Sequence, residues 1–341
     1  MVNPRPAEEV RAERDAEAKA AGIEQAPEAM PSAVLASLQK PIGDDWIDER
    51  NPPKPARFLV GDVDQPAFPL GKVSILAGKG GTGKTGLSAQ LAIAVASGTG
   101  DWLGLKVNDP GRVLWILAEE DEAIARRLVW HAAKAAGVFD DAGAKRNLLA
   151  NLRVVALAGT GQPAQLTDKE GKAIAFAHTL ESELRKHEAE ADPWRLVIVD
   201  PLSRFSGAEN ENDNASATKV IESLERLAKA SGAAVLACHH AGKGPREGDD
   251  AIRGASALLD GARFGMTLAR PAKPDGEKVD PPIGDRVLQC VKSNYGPAWW
   301  AVPLTFDPVD KVFVLGSSGA SATNAKNNRA KPTQRERTNA G

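Results

Sequence analysis

The chain has 341 residues, 42 % of them hydrophobic, and its 43 basic and 45 acidic side chains leave a net charge of −2. That balance excludes a protein that holds nucleic acid by bulk positive charge; such binding needs a local patch or an oligomer channel. The first thirty residues are charged without an apolar core, and no apolar run approaches the ~20 residues of a membrane span, so a cytoplasmic protein with no membrane partner is expected.

In chain order, residues 1–51 are rich in Ala, Glu, Arg and Pro and read as a flexible charged arm, with a polar helix over 8–21. Pro52, Pro53 and Pro55 form a stiff linker into the main domain, expected over 52–316. A short edge strand is expected over 57–60. Val73 to Ala77 is an apolar run of strand length, and Gly86 to Ala96 has the composition of a buried helix. Trp102-Leu103-Gly104 reads as a turn, and Arg112 to Leu117 as a second buried strand. A helix over 123–136, a strand over 152–157 and an amphipathic helix over 169–187 follow. Arg195 to Asp200 is a fourth strand, 215–230 a helix, and 233–238 a fifth strand that stops at His239-His240. A loop spans 241–252, and a short helix 256–260. Strands are expected over 264–269, 286–291 and 312–315. Alternating strands and helices followed by closely spaced strands specify an α/β fold: a largely parallel sheet flanked by helices, with an antiparallel extension. Residues 317–341 carry Lys326, Arg329, Lys331, Arg335 and Arg337 against Glu336 alone and read as a disordered basic tail. Cys238 and Cys290 lie in apolar runs and read as buried reduced thiols.

The stretch Gly78-Lys79-Gly80-Gly81-Thr82-Gly83-Lys84-Thr85 fits the phosphate-binding pattern G-x-x-x-x-G-K-[ST] and lies between strand and helix, as a P-loop must. Gly78, Gly80, Gly81, Thr82 and Gly83 let the backbone curl so that several N–H groups face one anion. Lys84 adds a charge beside the β- and γ-phosphates, and the Thr85 hydroxyl suits a Mg²⁺ ion. Absence of a G-specific N-K-x-D stretch points to ATP rather than GTP.

Ligands of open α/β sheets sit at the carboxyl ends of the strands. Asp200 closes the fourth strand and reads as the Walker B carboxylate that steers Mg²⁺ through its water shell. The acidic run Glu119 to Glu122 follows the second strand. NTP hydrolysis needs a group that orients and deprotonates water; Glu119 is placed first for this, with Glu120 and Asp121 as rivals and part of the run left to cap the next helix. His239 and His240 can sense the γ-phosphate or simply pack, and a metal site there lacks further ligands at suitable spacing. Arg253, Arg263 and Arg270 are each suited to act as an arginine finger, and composition does not choose among them.

Six stretches in order resemble the RecA-fold ATPases of the plasmid replicative helicase RepA type: GKGGTGKT at 78–85, VLWILAEED at 113–121, LVIVDPLSRF at 196–205, LACHHAGKG at 236–244, RGASALLDGARF at 253–264 and VKSNYGPAWW at 291–300. The resemblance covers about residues 57–316. It implies Glu119 as catalytic glutamate, Asp200 as Walker B aspartate, His240 as sensor and Arg263 as the arginine finger given to a neighbouring subunit. It also implies that Lys292 and Tyr295 lie near a subunit boundary, and that Arg204 and Lys243 face the site or a central channel. The activity so implied is ATP hydrolysis by a hexameric ring that moves on single-stranded DNA, with a replication partner reached through the arm or the tail. The loop at 241–252 has Lys243 and Arg246 but also Glu247, Asp249 and Asp250, which suits a DNA grip poorly. A filament-forming recombination ATPase and an ATPase that acts on a protein partner are the other readings.

Overall fold

The computed structural model describes residues 41–162, 164–186, 193–207, 214–241, 256–271 and 283–316. The expected arm is therefore described only from residue 41, and the tail at 317–341 and the loop at 241–252 beyond Ala241 lie outside the described residues. The chain divides into two compact units, Met1–Pro55 and Ala56–Gly341. In the first, a 3-10 turn at Asp44–Trp46 accompanies exposed Ile42, Trp46 and Ile47.

The second unit begins with β1 (Phe58–Val60) and β2 (Ala67–Pro69), paired antiparallel in a two-stranded sheet of their own. Then come β3 (Val73–Gly78), α1 (Lys84–Ser97), the hairpin β4 (Asp101–Trp102) and β5 (Leu105–Lys106), and β6 (Arg112–Leu117). Helices α2 (Glu122–Ala135) and α3 (Ala142–Asn151) lead to β7 (Leu152–Ala156), followed by α4 (Ala175–Lys186) and β8 (Trp194–Asp200). The chain continues through α5 (Asn214–Ser231), β9 (Ala234–His240), α6 (Ser256–Gly261) and β10 (Phe264–Ala269). It closes with β11 (Asp285–Ser293), β12 (Ala301–Asp307) and β13 (Val312–Leu315).

A nine-stranded sheet runs in the order β13-β12-β11-β10-β3-β9-β8-β6-β7. Pairing is parallel from β7 to β10 and antiparallel from β10 through β13. The fold class read from the sequence is the one observed. Each central strand is buried on both faces, which is why it reads as a continuous apolar run rather than an alternating one. Period-two geometry still sorts its side chains. Leu196 and Ile198 of β8 join the core under α1, α2 and α3, while Val197 and Val199 join the core under α4, α5 and α6. Helix α1 lies deep in the first of these cores and is buried along most of its length.

The structure adds elements the sequence pattern did not show. Helix α3 was not expected. Asp141 starts it by accepting from the N–H groups of Gly143 at 2.7 Å and Ala144 at 3.0 Å. Its Asn151 and Asn147 side chains then donate to the carbonyls of Ala96 (3.0 Å) and Ser97 (3.2 Å), satisfying the end of α1. β12 was also unexpected; Pro303 within it weakens the strand signal and sits near the sheet's edge. The amphipathic helix expected from 169 starts at Ala175, because Asp168 closes a turn through the Lys172 N–H. Among the described residues no helix is long and apolar enough to cross a membrane.

Candidate active site

The strand ends gather the predicted residues. β3 runs straight into the P-loop, β9 lies beside it with Gly78 opposite His240, and β6 lies beside β8 with Leu117 opposite Asp200. Glu119, Asp200 and His240 thus reach the carboxyl edge of one parallel sheet together with Lys84 at the start of α1. Gly78 is required here because a Cβ would stand 2.6 Å from the Leu268 carbonyl of β10. Gly83 is required twice over: its φ is +99°, and a Cβ would meet the Phe313 ring at 2.6 Å.

Lys84 is buried, and its ammonium donates to the carbonyls of Gly78 at 2.8 Å and Lys79 at 3.1 Å. Its third contact is His240 Nδ1 at 3.1 Å. An ammonium has only protons to give, so Nδ1 accepts and the imidazole proton sits on Nε2. Burial lowers the Lys84 pKa, opposed by Cys238, Asp200 and Glu119. Burial and the Lys84 charge lower His240 as well, with Glu119 opposing. His240 meets the P-loop lysine. His239 is buried and lines a small cavity with Ser203, Ser206 and Ser216.

Asp200 is 3 % exposed. Burial pushes its carboxyl up to about 6, while side-chain hydrogen bonds from Thr85 and Cys238 and the charge of Lys84 oppose the rise and Glu120 adds to it. Its Oδ2 is buried and, among the described residues, has no hydrogen-bond partner. A buried carboxylate oxygen left open beside a threonine hydroxyl is a fit for a hydrated Mg²⁺, which takes one or two protein oxygens and completes its shell with water and phosphate. Thr85 and Asp200 are the residues that would hold it.

The acidic run separates by geometry. Asp121 caps α2 by accepting from the Ile124 N–H at 2.9 Å. Glu122 pairs with Arg126 one turn along at 3.2 Å. Glu119 stays at the site, bonded by Arg204 Nε at 2.8 Å and acting electrostatically on Lys84 and His240. Glu120 acts on Asp200 instead. Asp121 is thus occupied as a cap, whereas Glu119 and Glu120 both remain near the P-loop.

The arginines separate as well. Arg253 and Lys243 lie outside the described residues. The Arg263 N–H donates to the Val73 carbonyl at the start of β3, and its guanidinium lies 3.6 Å from Glu225. At about 3.3 Å per strand residue the length of β3 puts it about 17 Å from Gly78. Arg263 therefore sits at the opposite end of the sheet from its own P-loop, beside Lys292, which donates to the Asp260 carbonyl at 2.6 Å. Half-exposed Tyr295 lies near this end, with the Lys72 ammonium 5.9 Å from its ring centre. Arg270 follows β10 at the P-loop end, where its charge acts on Arg286.

Sequence reasoning missed how the antiparallel extension meets the P-loop. Phe313 of β13 packs on Gly83, and its N–H and C=O pair with the amide of Gln90 of α1 at 2.9 and 2.8 Å. Arg286 of β11 donates to the Thr82 carbonyl at 3.0 Å. These contacts span 223 and 204 residues of sequence, and no local pattern signals them.

The family described as an AAA domain (AAA_25) matches residues 37–246. Among solved structures, the chain is similar to one titled a DnaB-like replicative helicase and its interactions with primase, with 14 % identity, 91 % of this chain and 72 % of that chain covered, and a TM-score of 0.51. It is also similar to a solved structure titled an ATPase domain, with 15 % identity, 72 % of this chain and 85 % of that chain covered, and a TM-score of 0.49.

Proposed function

This chain belongs to the AAA domain family, and from that premise we propose that it is a Mg²⁺-dependent ATPase of the ring-forming RecA-like type, a replicative helicase of the plasmid RepA kind that moves on single-stranded DNA. The observation that carries the reading is the convergence of Lys84, Thr85, Glu119, Asp200 and His240 on one sheet edge, with Asp200 Oδ2 left open.

In the mechanism, the P-loop N–H groups and the start of α1 take the phosphates. Lys84 leaves the Gly78 and Lys79 carbonyls and His240 Nδ1 to reach the γ-phosphate, since its three contacts use the protons a phosphate would accept. Thr85 and Asp200 would hold Mg²⁺, which would supply charge neutralisation on the phosphate oxygens. Glu119 accepts a proton from water as the water oxygen bonds to the γ-phosphorus and the bond to the ADP oxygen breaks. Arg204 holds one carboxylate oxygen of Glu119, and among the described residues no hydrogen bond occupies the other. His240, released by Lys84, carries the state of the site into the segment after β9. Arg263 cannot serve its own P-loop, so the reading requires a neighbouring subunit to receive it; a hexamer meets that need. Residues 1–51 and 317–341 are the segments offered to a replication partner.

The net charge of −2 favours a second reading, an ATPase directed at a protein partner. ATP turnover by the purified protein with and without single-stranded DNA, with Lys84→Ala as blank, decides. Turnover stimulated by DNA and absent in the blank supports the helicase; turnover indifferent to DNA moves the function to a protein partner; full turnover by Lys84→Ala overturns the site.

A further inference from the structure

Arg286 is the second residue of β11, next to the P-loop, although nothing in the P-loop pattern calls for it. Its Nε donates to the Thr82 carbonyl at 3.0 Å, and its Nη1 donates to the carbonyls of Ile283 and Asp285, each at 2.7 Å. The Asp285 carboxylate turns instead to the Thr305 hydroxyl at 2.9 Å. The guanidinium thus spends its hydrogen bonds on carbonyl dipoles.

The partner carbonyl matters. A trans peptide is planar, and its C=O and N–H point to opposite sides. The Thr82 carbonyl and the Gly83 N–H belong to one such unit. With the carbonyl held on Arg286, the N–H points to the side of the peptide away from that guanidinium, and among the described residues it meets no acceptor. A cation on the carbonyl also polarises the peptide and deepens the positive end at that N–H. The Phe313 ring against Gly83 holds the same unit from another side. Burial, with Arg270 nearby, lowers the Arg286 pKa, but a guanidinium keeps its proton in proteins, so the charge persists beside an anion site.

We propose that Arg286 is a positioning residue for phosphate binding, which holds the Thr82 carbonyl so that the Gly83 N–H stands ready for the β-phosphate of a nucleotide. The proposal rests on the ATPase reading above and adds to it a residue that acts from the antiparallel extension. It explains why β11 and β13 meet the loop: they fix a peptide plane that the glycines around it would otherwise leave free to rotate.

The test is calorimetric titration of the full chain and its Arg286→Ala and Arg286→Lys variants with ADP and with AMP, alongside the melting temperature without nucleotide. Loss of one charge-supported donor geometry corresponds to an ADP Kd raised about tenfold or more in Arg286→Ala. Arg286→Lys, which keeps the charge and one donor, is expected between the two. AMP, which lacks the β-phosphate, is expected to lose less than ADP. An unchanged ADP Kd in Arg286→Ala overturns the proposal, as does an equal loss for AMP and ADP. If the alanine variant does not fold, the lysine variant decides by the same ADP-to-AMP comparison. A wild-type chain that binds no ADP overturns the ATPase reading itself, a result distinct from either.

Discussion

Asp200 offers a prediction in which function and stability oppose each other. Its ordinary carboxyl pKa of 3.8 is raised to about 6, first by burial. The sign follows from proton binding: the folded chain holds this proton more tightly than the unfolded chain does. The group is neutral in both states below about pH 4, and ionising it in the fold costs more as pH rises toward 6. At about 1.4 kcal/mol per tenfold change in proton affinity, the cost levels at about 3 kcal/mol above pH 6. Asp200→Asn removes that charge while keeping the shape. The expected result is a nucleotide-free protein that melts several degrees higher at pH 7.5, with a gain that shrinks as pH falls to 4. The same variant should lose Mg²⁺-dependent turnover, because it removes the open carboxylate oxygen. Scanning calorimetry from pH 4 to 8, with turnover measured in parallel, checks both halves. A variant that melts lower than wild type at pH 7.5 but equally at pH 4 would refute the reasoning, since it would mean that the ionised carboxylate is a net stabiliser.

Other tests address the remaining groups. Glu119→Gln should lower kcat by about 100-fold or more with ADP affinity kept, while Glu120→Gln keeps most of its turnover; the reverse pattern in single-turnover assays would transfer the role to Glu120. Arg263→Ala should bind nucleotide normally yet hydrolyse it poorly, and mixing it with Lys84→Ala chains should restore part of the turnover through mixed interfaces; no recovery at any ratio counts against a finger acting between subunits. Asn151→Ala leaves the Ala96 carbonyl without its side-chain donor, so urea unfolding should show a loss of about 1–2 kcal/mol, and an unchanged midpoint would show that water replaces the amide.

The parallel core was legible because chemistry and sequence are local there. A strand buried on both faces is a continuous apolar run, and Val73–Gly78, Arg112–Leu117 and Trp194–Asp200 each read that way. Glycine spacing and a following lysine mark the P-loop because the backbone must curl within eight residues. Helix α3 was not legible: among its residues only Ala144 and Leu148 are buried, too sparse a stripe to stand out. β12 was masked by Pro303 and by the partial burial of most of its side chains.

The sequence by itself determined the fold class, the phosphate loop and the set of candidate carboxylates and bases, since each is a property of a short stretch. Only the tertiary structure decided which members meet. Strand order put His240 against Lys84 and placed Arg263 about 17 Å from its own P-loop. It also brought Arg286 and Phe313 onto the loop across more than two hundred residues of chain. Such pairings are set by register and sheet order, which emerge from burying both faces of the sheet at once, and no local segment carries them.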